Sequence, residues 1–183
     1  MKVVVAITGA SGAIYARQTL QQLIAADQVE QIALIVSDMG REVMAYEGVE
    51  LPVSDKIVCY ANGEMFSSVA SGSAEWDAMV IVPASMGSVG RIASGVSSSL
   101  IERAADVMLK ERRRLIVVVR ETPYSLIHLR NMTTLTEAGA VILPATPSFY
   151  SHPADLEQAT MTVVERIIAH VGISQPRYSF SGR

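Results

Sequence analysis

Short runs of consecutive apolar residues alternate along this chain with longer stretches in which apolar residues recur every three or four positions. Unbroken apolar runs are typical of strands buried on two faces, and the three-to-four spacing is typical of amphipathic helices. The predicted strands lie at 2–7, 31–36, 78–82, 115–119 and 140–143, with a shorter one at Ile57–Cys59. The predicted helices lie at about 12–26, 38–46, 86–110, 125–137 and 155–171.

Strands that alternate with helices predict a parallel sheet with helical crossovers. We therefore expect an α/β fold in three layers, in which helices cover both faces of a mostly parallel sheet. Because the sequence shows no internal repeat, we expect one domain over 1–172 and a polar C-terminal tail over 173–183. We expect Cys59 to lie in the core, because it belongs to a predicted strand.

The composition narrows the class of protein. Half of the 183 residues are hydrophobic and only 18% are charged, below the ~25% usual in soluble domains. No apolar run approaches the ~20 residues of a membrane-spanning helix, so we expect the excess apolar surface to be buried in a homo-oligomer. The alternative is a large internal core. The net charge of −3 argues against nucleic-acid binding. The single cysteine excludes an internal disulfide, and no signal-peptide pattern opens the sequence, so we expect a cytoplasmic protein.

The first predicted strand runs directly into a turn of small residues, Thr8-Gly9-Ala10-Ser11-Gly12-Ala13. A helix follows, and the unpaired N–H groups and dipole of a helix N-terminus can bind an anion. The alternative is a plain tight turn. No Gly-Lys-Ser/Thr follows, which excludes a P-loop. A nicotinamide site is disfavoured because Ser37, with Asp38 beside it, stands where such sites place an acid at the second strand end.

A second turn of small, hydroxyl-bearing residues follows the strand at 78–82. Ligands of open α/β sheets bind beyond the carboxyl ends of the strands, so this turn could hold another part of a phosphorylated ligand. The alternative is that Ser85 or Ser88 caps the next helix. The candidate residues here are Ser85, Met86, Gly87 and Ser88.

Arg120 and Glu121 follow an apolar strand directly. A guanidinium suits a phosphate, and a carboxylate can act as acid or base. The alternative is a salt bridge followed by a helix start, with Thr122 or Ser125 as the cap.

The remaining candidate side chains carry less information by themselves. Arg103, Lys110 and Arg166 lie on predicted helices, where an isolated cation is more typical of a solvent-exposed position. The three histidines, His128, His152 and His170, lack the spacing of metal ligands, so we expect no metal site.

In order along the chain, these turns resemble the flavin prenyltransferases of the UbiX type. The matching segments are Ile-Thr-Gly-Ala-Ser-Gly-Ala at 7–13, Ala-Ser-Gly-Ser at 70–73, Pro-x-Ser-Met at 83–86, Arg-Ala-Ala-Asp-Val-x-Leu-Lys-Glu at 103–111, Arg-Glu-Thr-Pro at 120–123, His-Leu-x-Asn-Met at 128–132, Gly-Ala-x-Ile at 139–142 and Phe-Tyr-x-His-Pro at 149–153. The resemblance implies a flavodoxin-like or Rossmann-like fold. It implies a metal-independent enzyme that transfers a dimethylallyl group from dimethylallyl monophosphate to N5 and C6 of reduced FMN. The product, prenylated FMN, would serve a separate UbiD-type decarboxylase, and the enzyme would be a dodecamer with sites between subunits.

The resemblance also implies residue roles. The implied FMN-binding residues are Gly9, Ala10, Ser11, Ser37, Ser85, Met86, Gly87, Ser88 and Arg120. The implied residues around the prenyl phosphate are Lys110, Arg120, Glu121, Tyr150 and Arg166. Catalytic roles are implied for Ser11 as a proton relay near N5, for Glu121 as the acid for the leaving phosphate or as the group that moves a proton during ring closure, and for Glu47 and Lys110. Glu47, Tyr150 and Arg166 would come from neighbouring chains.

Other classes stay open on the sequence alone. FMN-dependent cysteine decarboxylases share the implied fold but use a histidine near the N-terminus, and no histidine precedes His128 here. A non-catalytic flavin-binding protein would have no chemical use for Glu121 and Lys110. A subunit of a phenolic-acid decarboxylase complex is a further alternative.

Overall fold

Six strands form one sheet in the computed structural model, which describes residues 1–174. They are β1 (Lys2–Ile7), β2 (Gln31–Val36), β3 (Ile57–Ala61), β4 (Ala78–Ala84), β5 (Arg114–Val119) and β6 (Val141–Pro144). Their order across the sheet is β3-β2-β1-β4-β5-β6, and all neighbouring pairs are parallel. The strand order reverses between β1 and β4, and folds of this kind bind ligands at that point.

Helices cover the two faces of the sheet. They are α1 (Ala13–Ala25), α2 (Asp38–Glu47), α3 (Met86–Ala93), α4 (Leu100–Lys110), α5 (Leu126–Glu137) and α6 (Leu156–Val171). Apolar residues of α1 and α6 pack on one face, and those of α3, α4 and α5 pack on the other. The three-layer α/β fold expected from the alternating pattern is therefore confirmed.

The prediction of one continuous helix over 86–110 is wrong, because α3 and α4 are separate. Gly95 adopts a left-handed φ of 71°, a conformation that does not continue a right-handed helix. Ser99 then begins α4 by accepting the Glu102 N–H, while the Glu102 carboxylate accepts the Ser99 N–H. The glycine and serines at 94–99 were the sequence signal for this break.

The prediction of a core position for Cys59 is also wrong. Cys59 lies on β3, the edge strand, and its thiol is free and exposed. Apolar composition identified the strand correctly, but whether a helix covers both faces of a strand depends on its place in the sheet. Cys59 lines a shallow apolar cleft of about 720 Å³ together with Met44 and Leu51.

The expected tail at 173–183 lies mostly outside the described residues, which end at 174. Helix α6 ends at Val171, Gly172 follows with a φ of 99°, and Ile173 packs in the core with 2% of its surface exposed. Within residues 1–174, no helix has the length and apolar character needed to cross a membrane.

Candidate active site

The turns that follow β1, β2, β4 and β5 are joined by hydrogen bonds at the carboxyl edge of the sheet. Thr8 Oγ1 donates to Pro83 O at 2.8 Å and accepts the Ser85 N–H at 2.8 Å. The Ser37 N–H donates to Ile7 O at 3.0 Å. Two predicted serine-bearing strand ends are thus fixed against the end of β1.

The two glycines of the first turn are required for different reasons. A Cβ on Gly9 would lie 2.6 Å from the Met39 Cβ, so this glycine lets the turn pack against α2. Gly12 has a φ of 111°, which side chains disfavour, and it is the N-cap residue of α1.

The first turn opens into a cleft of about 590 Å³, which we call the Ser11 cleft. Its lining includes Ser11, Tyr15, Glu47, Arg120 and Glu157. The Glu47 carboxylate accepts the Gly12 N–H at 2.8 Å and the Ala13 N–H at 2.7 Å. Arg120 Nε donates to Ser11 O at 3.1 Å. Three predicted site residues, Ser11, Glu47 and Arg120, therefore meet within one chain.

Glu47 acts as a long-range cap of α1. The N-cap residue Gly12 has no side chain that could cap the helix, and the Glu47 carboxylate accepts the first N–H groups in its place. Burial alone would raise the pKa of Glu47, but hydrogen bonds from Ser11, Gly12 and Ala13 and the charge of Arg120 outweigh it and lower the pKa. The carboxylate contacts the turn of its own chain, and the role implied for Glu47 in the site of a neighbouring chain stays a prediction.

Tyr15 is a site residue that sequence reasoning missed as a functional group. Its hydroxyl donates to Ala145 O at 3.4 Å on the wall of the Ser11 cleft. Burial raises the pKa of Tyr15, with Arg120 acting in the opposite direction. The phenol therefore stays neutral and keeps its proton at physiological pH.

A second cleft, of about 350 Å³, lies on the other side of the first turn, and we call it the Ser37 cleft. Its lining includes Thr8, Gly9, Ser37, Ser85, Ser88 and Arg91. Ser37 Oγ accepts the Gly40 N–H at 3.0 Å, and Ser85 Oγ accepts the Ser88 N–H at 3.4 Å. The capping alternative for Ser85 is confirmed, and the same residue lines a cleft at the helix N-terminus.

Met86 and Gly87 occupy the first turn of α3 beside this cleft. The Met86 side chain is 7% exposed and packs in the core. Only the backbone of Met86 is therefore available for the implied contact with FMN, whereas Gly87 is exposed.

Lys110 does not reach the carboxyl edge within one chain. Helix α4 ends at Lys110, just before β5 begins, so this lysine lies at the amino edge of the sheet. Lys110 Nζ pairs with the Glu111 carboxylate. Arg103 is on the same helix, pairs with Asp106 at 2.7 Å and donates to Ala70 O.

The other implied residues of the phosphate site are spread along the edge. Glu121 follows Arg120 and accepts the Thr122 N–H at 2.9 Å. Tyr150 lies after β6 with 74% of its surface exposed. Arg166 lines a separate cleft of about 270 Å³ between β6 and α6. One chain therefore brings together the implied flavin residues, and of the implied phosphate residues only Arg120 and Glu121 are adjacent.

Metal ligands are not gathered in the part of the chain that the structure describes: residues 1–174 contain no group of three or more His, Cys, Asp or Glu side chains able to hold an ion. The polar groups at the carboxyl edge include hydroxyls, backbone N–H groups and the cations Arg91 and Arg120, which suit a phosphorylated organic ligand, beside carboxylates such as Glu47 and Glu102 that already pair with groups of the protein.

A parallel α/β fold with two clefts at its carboxyl edge is the architecture of a nucleotide- or flavin-binding protein, and the chain belongs to the Flavoprotein family, whose sequence model matches residues 1–173. Within that family it is a member of the flavin prenyltransferases. It is 43% identical over 176 residues to the flavin prenyltransferase UbiX of Thermoplasma acidophilum, a match that covers 94% of this chain and 96% of the relative. The resemblance seen in the sequence motifs is therefore confirmed.

Solved structures agree with this assignment. A UbiX (PadA1) in complex with FMN and dimethylallyl pyrophosphate is 38% identical, with a TM-score of 0.88 and 97% of both chains covered. A dodecameric FMN-dependent UbiX-like decarboxylase from Escherichia coli O157:H7 is 34% identical, with a TM-score of 0.90 and 98% and 99% covered. The FMN-dependent cysteine decarboxylase SpaF shares the fold alone, at 15% identity and a TM-score of 0.60.

Proposed function

We propose that this chain joins the dimethylallyl group of dimethylallyl monophosphate to N5 and C6 of reduced FMN and releases phosphate. The observation that carries the proposal is the meeting of Ser11, Glu47 and Arg120 in one cleft of a flavin prenyltransferase, beside a second cleft lined by Ser37 and Ser85. Reduced FMN, when bound as substrate, supplies the nucleophilic N5 and C6 positions. Residues 1–172 form the single flavin-binding domain in this proposal.

The residues present fit FMN. The Ser37 cleft lies at the N-termini of α2 and α3, whose first N–H groups have no partner inside the helix and favour a phosphate. Hydroxyl groups at Ser37, Ser85 and Ser88 add donors. The proposed flavin-binding set is Gly9, Ala10, Ser11, Ser37, Ser85, Met86, Gly87, Ser88 and Arg120.

The proposed chemistry follows from charge. Breaking the allylic C–O bond leaves a carbocation and a phosphate, so cations that face the phosphate stabilise the transition state. Arg120 holds such a position next to Ser11. Glu121, directly after Arg120, donates a proton to the leaving phosphate, and Ser11 relays a proton near N5. The buried ring of Tyr15 and the side chain of Ile14 limit the access of water to the carbocation.

Lys110, Tyr150 and Arg166 take part as residues of neighbouring copies in this proposal. Each lies away from the Ser11 cleft of its own chain, so the site is complete only in an oligomer, which we propose is a dodecamer. Large exposed apolar side chains support burial against other copies, since such surface is uncommon on monomers. They include Tyr46, Leu126, Ile127 and Phe149, which are 60% to 94% exposed.

The proposed setting of the reaction follows from the product. We propose that prenylated FMN leaves the enzyme and serves a UbiD-type decarboxylase, the partner that the family resemblance implies. We propose that the enzyme acts in the cytoplasm, where the free, exposed thiol of Cys59 stays reduced.

Mass spectrometry of the flavin tests the proposal. The purified protein is incubated anaerobically with reduced FMN and dimethylallyl monophosphate, and we expect a flavin that is heavier by one five-carbon unit. Parallel incubations with dimethylallyl diphosphate and with oxidised FMN identify the donor and the flavin state. Bound but unchanged flavin would contradict the transferase proposal and leave a flavin-binding protein of another function.

Glu121→Gln tests the proposed role of Glu121 as the acid that protonates the leaving phosphate. We expect it to keep the fold and flavin binding but to lose most of the transfer or ring closure. Full formation of the closed product by this variant would remove Glu121 from the proposed mechanism.

A further inference from the structure

Arg91 places a cation at an unusual position, over the N-terminal turn of its own helix. Arg91 lies in the last turn of α3, but its side chain points back toward the start of the helix. Nη2 donates to Ser88 Oγ at 3.3 Å, and Nη1 lies 3.4 Å from the position that a Cβ on Gly87 would take. The guanidinium therefore lines the Ser37 cleft next to the capping residue Ser85.

Without a neighbouring carboxylate or a bound anion, this position would be electrostatically unfavourable, because a helix N-terminus carries partial positive charge. The partial positive charge of the helix N-terminus repels the Arg91 guanidinium. An anion bound between the guanidinium and the helix end would be attracted by both. The side chain of Arg91 is 49% exposed, so it could extend into solvent away from the helix end. Another side chain must therefore hold the Arg91 guanidinium over the N-terminal turn of α3.

Glu102 is the group that holds Arg91. Its side chain is 3% exposed, and the carboxylate pairs with Arg91 Nε. It also accepts the Ser98 N–H at 2.8 Å, the Ser98 hydroxyl at 2.6 Å and the Ser99 N–H at 3.1 Å. These contacts fix the carboxylate at the start of α4, and the ion pair fixes Arg91 in turn.

Ser88 connects Arg91 to the cleft. Because Ser88 Oγ accepts from Arg91 Nη2, its own proton points elsewhere, either to Ser85 Oγ at 3.1 Å or to a ligand. The side chain of Ser88 is buried, so the donor has few orientations to lose on binding. Asp38 and Glu102 also line the cleft, and Glu102 balances the charge of Arg91 through Nε. Arg91 thus acts at short range: its two Nη groups face the start of α3, and one of them aligns the Ser88 hydroxyl.

We propose that Arg91, positioned by Glu102, recognises the 5′-phosphate of FMN in the Ser37 cleft and sets the preference of the enzyme for FMN over riboflavin. The inference rests on the proposed function for the identity of the flavin. The Ser37 cleft suits this phosphate because the helix end of the Ser11 cleft is already occupied by the Glu47 carboxylate.

Flavin titrations test this inference without turnover. Binding of FMN and of riboflavin is measured by flavin fluorescence for the wild type, Arg91→Gln and Arg91→Lys. Since a charge-assisted contact is lost, we expect Arg91→Gln to weaken FMN binding about 10- to 100-fold and riboflavin binding less than about 2-fold. Arg91→Lys keeps the charge and should recover part of the FMN affinity.

Arg130→Gln is the matched control, because Arg130 is exposed on α5 and does not line the Ser37 cleft. It should leave both affinities unchanged. An unaltered FMN-to-riboflavin ratio in Arg91→Gln overturns the inference, including the case in which both flavins weaken together with a lower Tm. A raised KM for the prenyl donor with an unaltered ratio also overturns it. If the wild type binds no FMN, the proposed function fails and this inference fails with it.

Discussion

The Ser11 cleft and the Ser37 cleft lie on either side of the same turn and reach charge balance in opposite ways. In the Ser11 cleft, a carboxylate of the protein accepts the first N–H groups of α1, and Arg120 lies beside it. In the Ser37 cleft, serines cap α2 and α3 locally, and the carboxylate Glu102 pairs with Arg91 instead of with a helix end. Within residues 1–174, no carboxylate accepts the first N–H groups of α2 or α3.

The difference between the two helix ends favours different roles for the Ser11 cleft and the Ser37 cleft. A helix end that holds its own anion is rigid and keeps a proton-accepting group near Ser11, which suits chemistry. A helix end that keeps its N–H groups open and adds a cation suits the binding of an external phosphate. We therefore propose that the two clefts serve different steps, since a long-range carboxylate accepts the first N–H groups of a helix in the Ser11 cleft only.

The largest expected effect is on the rate of prenyl transfer, when the positive charge of Arg120 is removed from the Ser11 cleft. Arg120→Gln should lower prenyl transfer about 10²- to 10³-fold, because the phosphate loses a preorganised cation in the transition state. Single-turnover formation of prenylated flavin measures the effect, and circular dichroism checks the fold. A rate equal to that of the wild type would show that the reacting phosphate does not depend on Arg120 and would argue against its binding in the Ser11 cleft.

The next effect concerns the backbone of the same cleft. Gly12→Ala should lower the free energy of unfolding by about 2 kcal/mol, because Gly12 has a φ of 111° and a Cβ would lie 3.0 Å from the Tyr15 ring. Urea denaturation measures the change. Gly63→Ala is the control: its Cβ would meet nothing within 4 Å, and we expect a change within about 0.5 kcal/mol. Equal losses would show that the first turn is not conformationally demanding.

Glu47→Gln tests the carboxylate that separates the two clefts. At pH 7 it should lower the free energy of unfolding by about 1 kcal/mol, because the amide lacks the charge that interacts with the helix end. The folded-state pKa of Glu47 lies below its ordinary value of 4.5. Its contribution is therefore complete well above pH 4.5 and is lost as the pH falls from there through the lowered pKa. The two proteins should become equally stable at low pH, and a difference that did not depend on pH would argue against a charged cap.

Ser85→Ala gives the smallest expected effect and completes the comparison. Loss of this local cap of α3 should lower the free energy of unfolding by about 1 kcal/mol at most. Because a serine hydroxyl does not titrate, the loss should be the same at pH 7 and at pH 4. A pH-dependent loss would show that the Ser37 cleft also depends on a titrating group.

The sequence predicted most of the architecture for local reasons. Five long apolar runs and their intervening helical patterns were recognised to within two residues at most ends, since two-sided burial demands unbroken apolar strands. Ser37, Ser85 and Arg120 were found as strand-end residues, because carboxyl ends of parallel strands must share one edge. The helix break at Gly95 was missed, although glycine and serine marked it.

The sequence determined the strands, the helices, the turn at Gly9–Gly12 and the family, because these depend on composition and on neighbours along the chain. The tertiary structure decided that Glu47 caps α1 from 34 residues away and that Cys59 is exposed on an edge strand. It also decided that Glu102 holds Arg91 over the Ser37 cleft and that Lys110 lies at the opposite edge from Arg120. The reason is the same in each case: spacing along a chain does not encode which side chains meet once the helices pack on the sheet.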